Sequence, residues 1–220
     1  MGEMLHRLHV SPYPPEEEIA NAITHGLGVI LAGVGSYFLL IEANLTDDPW
    51  KLWSSVVFGL CMITCYLFST LYHASTNPSF KHKMRIADHI GIYLLIAGSY
   101  TPFVLVCLNG WIGWSYFVII WGCAGVGITL RIVNMRVPNY VSAAPYLIMG
   151  WLAVIGIKPL FDSMGWDGLG LILLGGIFYS IGVGFYLWER VPFNHAIWHL
   201  FVLAGSISHY FAVLFKVIPY

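Results

Sequence analysis

Charge is what this chain has least of. Of its 220 residues only 10% are Asp, Glu, Lys or Arg, while 58% are hydrophobic. A soluble domain carries about 25% charged residues. So few charges cannot cover a water-facing surface, which excludes a soluble globular protein and implies an integral membrane protein. The formal net charge of −1 lacks the basic excess that nucleic acid would call for. Cysteine is scarce too. Cys61, Cys65, Cys107 and Cys123 all lie inside apolar runs, as small apolar helix residues rather than a disulfide or metal framework. The N-terminal stretch MGEMLHRLHVSPYPPEEE is polar where a signal peptide would have an apolar core, so no cleavable leader is expected. Neither a large extramembrane domain nor an internal repeat is visible.

Long apolar runs fill the remainder. A spanning helix needs about 20 mostly apolar residues. Seven stretches qualify, at 22–42, 52–73, 86–107, 112–132, 141–161, 168–188 and 195–217. Turn and charge signals separate them, among them Asp47-Asp48-Pro49, Asn77-Pro78, Asn109-Gly110 and Pro192 with Asn194. The fifth run has an indistinct end, because Gly156 and Pro159 fall inside or beside it. The expected fold is an all-α membrane protein, a seven-transmembrane-helix bundle over 18–220 preceded by a polar cytoplasmic segment, 1–17. Arg7, Lys81, Lys83, Arg85, Arg131, Arg136 and Arg190 fall on the N-terminal side of this topology, and Lys51, Lys158 and Lys216 on the other. Basic residues favour the cytoplasm, so the N-terminus is expected there and the C-terminus outside. This topological role also accounts for Lys81, Lys83 and Arg85 without specific lipid binding.

Ionisable residues near lipid are costly, and several at one depth point to a site. Glu18, Asn21 and His25 enter the first run with the spacing i, i+3, i+7, so their side chains share a face. Pro14 and Pro15 followed by Glu16, Glu17 and Glu18 equally suit a plain helix start. Ser69, Tyr72 and His73 leave the second run. Asp88 and His89 open the third, and His195 and His199 open the seventh. All of these ends fall on the cytoplasmic side of the topology above.

The HxxxH spacing of His195 and His199 is how one helix presents two ligands to a metal. With His73 added, three neutral imidazoles leave a tetrahedral zinc one open position for water, whose pKa falls to about 7. Asp88 is placed to act as a general base, and Ser69, one turn before His73, to donate to an oxyanion or orient a ligand. Such a centre beside lipid suits hydrolysis of a lipid amide or ester. Nine histidines in the chain make a chance HxxxH pair unremarkable, and histidines hydrogen-bonded between helices are the alternative. His25 reads as a fourth ligand or as a group behind the ligands, the latter preferred. His89 points about 100° from Asp88. His209 is expected to pack or hydrogen-bond, and His6, His9 and His82 to be solvated.

The ordered set E18-x-x-N21-x-x-x-H25, S69-x-x-Y72-H73 with Asp88 followed by Gly91-Ile92, and H195-x-x-x-H199 resembles the haemolysin III family, within the progestin and adipoQ receptor superfamily. The likeness covers Glu18 to Tyr210 and is close to the bacterial inner-membrane members. It implies a seven-helix bundle with Zn2+ toward the cytoplasmic side, held by His73, His195 and His199, with Ser69 and Asp88 near the metal. Glu18, Asn21, His25 and Tyr72, which fall in the same motifs, are expected to stand behind the ligands. The long N-terminal region of the animal receptors has no counterpart here, which weakens transfer of a hormone-receptor function.

The resemblance also implies kinship with alkaline ceramidases, which supports amide hydrolysis by analogy. The leading expectation is therefore a zinc-dependent lipid hydrolase serving membrane lipid or energy homeostasis, with membrane lipids as partners. Protein partners and oligomeric state are left open. A sensor or regulator with structural zinc is the alternative. A cytolysin ranks below both, because the topology is that of a resident membrane protein.

Overall fold

Proline starts three of the long helices. The computed structural model of the protein describes residues 13–133 and 139–219. Within it α1 (Pro15–Asn44), α2 (Pro49–Ala74) and α3 (Pro78–Pro102) each carry proline in the first turn, where its missing N–H has no partner to lose. Asp48 and Asn77 cap the second and third, accepting from Trp50 N at 2.8 Å and Phe80 N at 3.0 Å. There follow α4 (Gly110–Ile132), α5 (Asn139–Trp151), α6 (Ile157–Leu187) and α7 (Asn194–Ala212). No strand occurs among the described residues. His6, His9 and Arg7, and Arg136 in the fourth break, lie outside the described residues.

Six of these helices, counting their π-helical extensions, are long and apolar enough to cross a membrane, while α5 spans 13 residues. Ile23, Ile30, Val34 and Phe38 on α1, and Val118 and Val126 on α4, are exposed. Water would not tolerate such continuous apolar faces, and lipid does. The chain is a multi-pass membrane protein. Inside, α2 packs between α1 and α3, α6 packs on α7, and α7 closes against α1. Leu39, Phe58, Tyr66, Val202 and Val213 are buried at the core of this group. A smaller core joins Tyr93 and Ala97 of α3, Ile120 and Ala124 of α4, and Tyr146 and Met149 of α5.

The irregular segments have identifiable causes. Pro102 cannot donate to the carbonyl one turn back, and the chain passes from α3 into a π-helical segment, Phe103–Leu108. Asn109 (φ 32°) and Gly110 (φ 49°) then reverse it, the two-residue turn that the Asn-Gly pair predicts. The break after α5 differs from expectation. The predicted fifth run extends to 161, yet the helix ends at Trp151, a 3-10 turn covers Leu152–Val154, and α6 has begun by Ile157. The cause is tertiary. Tyr100 of α3 accepts from Ala153 N at 2.8 Å and donates to Gly150 O at 2.7 Å, which stabilises a broken helix that local signals place later. Lys158, Pro159 and Asp162 therefore fall inside α6, whose kink is at Gly165 (φ 64°).

Candidate metal centre

Three helix ends meet at one end of the bundle: the start of α1, the end of α2 and the start of α7. Phe193, directly ahead of α7, is left-handed (φ 57°), and no side chain of its own segment caps the helix. Two other residues do the joining. Asn194 Nδ2 donates to Phe185 O at 3.2 Å and Tyr186 O at 3.3 Å, closing the end of α6. Glu17, buried, accepts from His195 N at 3.2 Å, placing a carboxylate at the positive end of α7 from a helix far away in sequence.

His73, His195 and His199 are all buried, and one nitrogen of each lies within 4.8 Å of the others. Ring centroids are 5.0 Å apart for His73 and His195, 5.2 Å for His73 and His199, and 4.6 Å for His195 and His199. Every Nδ1 is committed. His73 Nδ1 donates to Glu18 Oε2 at 2.6 Å, and His199 Nδ1 donates to Asn21 O at 3.2 Å with Thr24 Oγ1 at 3.1 Å. The Tyr13 hydroxyl engages His195 Nδ1 at 2.9 Å. The Glu18 carboxylate and the Asn21 carbonyl can only accept, so they fix the tautomer of His73 and His199 and leave Nε2 of each with its lone pair, and the Tyr13 hydroxyl permits the same tautomer at His195. The Nε2 atoms of His73 and His195 are buried with no hydrogen-bond partner among the described residues. A lone buried acceptor costs about 1–3 kcal/mol, and a cation between the rings removes that cost. Tetrahedral zinc brings its nitrogen ligands to about 3.4 Å from one another, and the nitrogens of the three rings already lie within 4.8 Å. The donor set fits zinc.

Around the rings, Lys81 Nζ lies 3.1 Å from Glu18 Oε1, donates to Tyr72 O at 3.1 Å and His73 O at 3.4 Å, and sits 5.0 Å from the centre of the Tyr72 ring. One ammonium therefore caps the C-terminal carbonyls of α2 and holds the carboxylate that orients His73. The His25 ring stacks on His199 at 3.5 Å and 11°, with both nitrogens buried and unpartnered among the described residues. Ser69 Oγ is likewise buried and unpartnered. Burial, reinforced by the nearby Tyr186, Tyr72, Asp88 and Glu17 side chains, raises the Tyr13 hydroxyl above its ordinary range and keeps it neutral.

Asp88 does not join the triad. Its Oδ2 is 4.0 Å from His89 Nδ1, which donates to Arg85 O at 2.7 Å. Asp88 instead lines a cavity of about 280 Å³ together with His25, His195 and His199. The cavity runs down the bundle along α3 and the π-helical segment that follows it, with lining residues from Arg85 to Leu108, about 30 Å of helix. Its middle is walled by apolar side chains such as Leu95, Phe103, Ile172 and Val183. The arrangement can hold a metal at a polar end and an apolar chain behind it.

Sequence reasoning missed Tyr13, Thr24 and Lys81, and treated Glu17 as a helix-start charge. Glu17 carried one signal, its place four residues before Asn21 on the motif face. Nothing in the pattern distinguishes Lys81 from Lys83.

The sequence pattern of the family described as "Haemolysin-III related" matches residues 14–210. "Hemolysin-3" of Bacillus cereus is 48% identical over 204 residues, covering 93% of this chain and 93% of that protein. "Hemolysin-3 homolog" of Bacillus subtilis (strain 168) is 47% identical over 200 residues, 91% and 94% of the two chains. "Monocyte to macrophage differentiation factor" of Homo sapiens is 30% identical over 203 residues, 90% and 83%.

Proposed function

The chain belongs to the haemolysin III family, and from that footing we propose that it is a zinc-dependent hydrolase of a lipid amide or ester, acting in membrane lipid or energy homeostasis. The observation that carries the reading is the pair of buried, unpartnered imidazole nitrogens, His73 Nε2 and His195 Nε2, in a triad whose His195 and His199 line the polar end of an apolar cavity. When bound, zinc supplies a Lewis acid and a water that ionises near neutral pH. His73, His195 and His199 are the ligands in this reading, held in the binding tautomer by Glu18, Tyr13 and Asn21. Asp88, facing the same cavity, takes a proton at its carboxylate and returns it to the leaving group. Ser69 Oγ has a proton to donate and orients the polar group being cleaved. The apolar wall excludes water from the acyl chain and sets its direction.

The same reading has seven crossings. α5 and its 3-10 turn, Asn139–Val154, give about 24 Å of helix, just short of a typical hydrocarbon core. The excess of Lys and Arg on the N-terminal side supports a cytoplasmic N-terminus, a metal site facing the cytoplasm and residence in the bacterial inner membrane. A haemolysin is what the Bacillus cereus relative is named. For this chain, burial of the polar groups inside the bundle favours a resident membrane enzyme over a released cytolysin.

The test uses detergent-purified protein. Wild type should hold about one zinc per chain, and His195→Ala/His199→Ala little. Asp88→Asn should keep its zinc and lose hydrolysis of a defined mixture of lipid amides and esters. Full function in Asp88→Asn would replace the hydrolase with a sensor whose zinc is structural.

A further inference from the structure

About 15 Å below the histidine triad, ten residues along α7 from His199, stands another histidine. The His209 ring lines the same cavity as His195 and His199. Its Nε2–H donates to Ile172 O at 3.2 Å, which leaves Nδ1 as an acceptor. That Nδ1 is buried without a hydrogen-bond partner among the described residues. The seat is shaped for the ring. A Cβ on Gly175 of α6 would collide with the imidazole, so only glycine leaves the space. The Tyr179 ring stands 5.5 Å away and Phe103 6.4 Å away.

The neighbouring hydroxyls are already engaged. Tyr179 and Ser206 share a hydrogen bond at 2.8 Å, and Tyr66 donates to Ser206 at 2.5 Å. Ser99 donates to Ile96 O at 2.9 Å and Ser180 to Gly176 O at 2.7 Å. A buried acceptor left over at mid-depth of an apolar cavity is costly unless something in the cavity donates to it.

We infer that His209 is a specificity-determining residue that accepts a hydrogen bond from a hydroxyl carried on the lipid chain, about 12 bonds from the polar group held at the triad. The spacing follows from the helix rise between His199 and His209 and the length of an extended chain, about 1.2 Å per bond. The inference rests on the hydrolase reading for its register, because the polar group at the triad sets where the chain begins. A water molecule in the cavity is the competing donor, and the test separates the two.

Dissociation constants are measured on detergent-solubilised, zinc-loaded protein for octadecanoate, 12-hydroxyoctadecanoate and 6-hydroxyoctadecanoate, the product class of amide or ester cleavage. The 12-hydroxy chain should bind about tenfold more tightly than the other two. In His209→Phe the 12-hydroxy chain should bind no more tightly than octadecanoate does to the same variant. His209→Gln, which retains a donor and an acceptor, should keep part of the preference. If the phenylalanine variant does not fold, the positional preference of the wild type decides alone. Equal affinities for the three chains, no binding of any of them, or a preference that survives His209→Phe would overturn the inference. Because binding is read without turnover, the two readings fail separately. A 12-hydroxy preference without hydrolysis removes the enzyme and leaves the His209 contact, whereas hydrolysis without the preference removes only the contact.

Discussion

Glu18 Oε2 lies 2.6 Å from His73 Nδ1, joining the start of α1 to the end of α2. The other oxygen of the same carboxylate meets Lys81 at 3.1 Å. The bond does two things. It selects the tautomer with the lone pair on Nε2, and it fixes the ring plane that the cluster needs. Glu18→Gln keeps the size and removes the charge. We expect zinc affinity, read by competition with a chelator, to fall about 10- to 100-fold, with the helical content unchanged. Unaltered affinity would make the Glu18 contact a packing feature.

Lys81 acts one step further out. Lys81→Met removes the charge that holds Glu18 and the donor that caps Tyr72 and His73 carbonyls. The variant should lose both stability and zinc affinity, each by less than Glu18→Gln loses in affinity. In a Glu18→Gln background the added affinity loss should vanish, because the two residues form one chain of contacts. Additive losses in the double variant would show that Lys81 acts on α2 alone.

Glu17 is the cap that α7 does not supply for itself. Its buried carboxylate accepts from His195 N at 3.2 Å. Glu17→Ala should cost about 1 kcal/mol or somewhat more in thermal unfolding, and His195 should bind metal more loosely. Glu16→Ala, on an exposed neighbour, should change neither. Equal effects from the two would reduce both to generic helix-start charges.

These residues also mark where the sequence stops being readable. The i, i+3, i+7 face of Glu18, Asn21 and His25, and the HxxxH pair, follow from helix geometry, and the structure brings all of them to one end of the bundle. The apolar runs locate the long helices because lipid imposes a length on them. That Glu17 and Glu18 reach other helices while Glu16 stays exposed depends on tertiary packing, and so does the choice of Lys81 over Lys83. The break after Trp151 comes earlier than the local pattern predicts for the same reason. Tyr100, some fifty residues earlier, stabilises it, while the local signals at Gly156 and Pro159 suggest a later end.

Tyr13 covers the triad, with its ring 4.6 Å from His195 and its hydroxyl 2.9 Å from Nδ1. Burial raises its ionisation above the ordinary value of 10.0. The sign follows directly. The unfolded chain deprotonates first, so the stability Tyr13 contributes is complete below about pH 10 and declines as pH rises beyond it. Tyr13→Phe should flatten the alkaline side of the stability profile and lower zinc affinity at neutral pH. A profile identical to wild type above pH 10 would place the Tyr13 ring in solvent.

Phe193 offers a stability test that leaves the ligands untouched. It is a half-exposed phenylalanine at φ 57°, where a Cβ crowds the following carbonyl at about 1–2 kcal/mol. Glycine adopts that conformation freely but loses more freedom on folding. The first effect exceeds the second, so Phe193→Gly should raise the midpoint of thermal unfolding in detergent, by an amount corresponding to less than about 1 kcal/mol. The turn sets where His195 and His199 begin, two and six residues later. If the strain holds those rings in register, the glycine variant will be more stable and bind zinc more weakly. If Glu17 and Asn194 suffice to hold the turn, stability will rise with affinity unchanged. A lower midpoint would mean that the Phe193 ring contributes more through packing than its backbone costs.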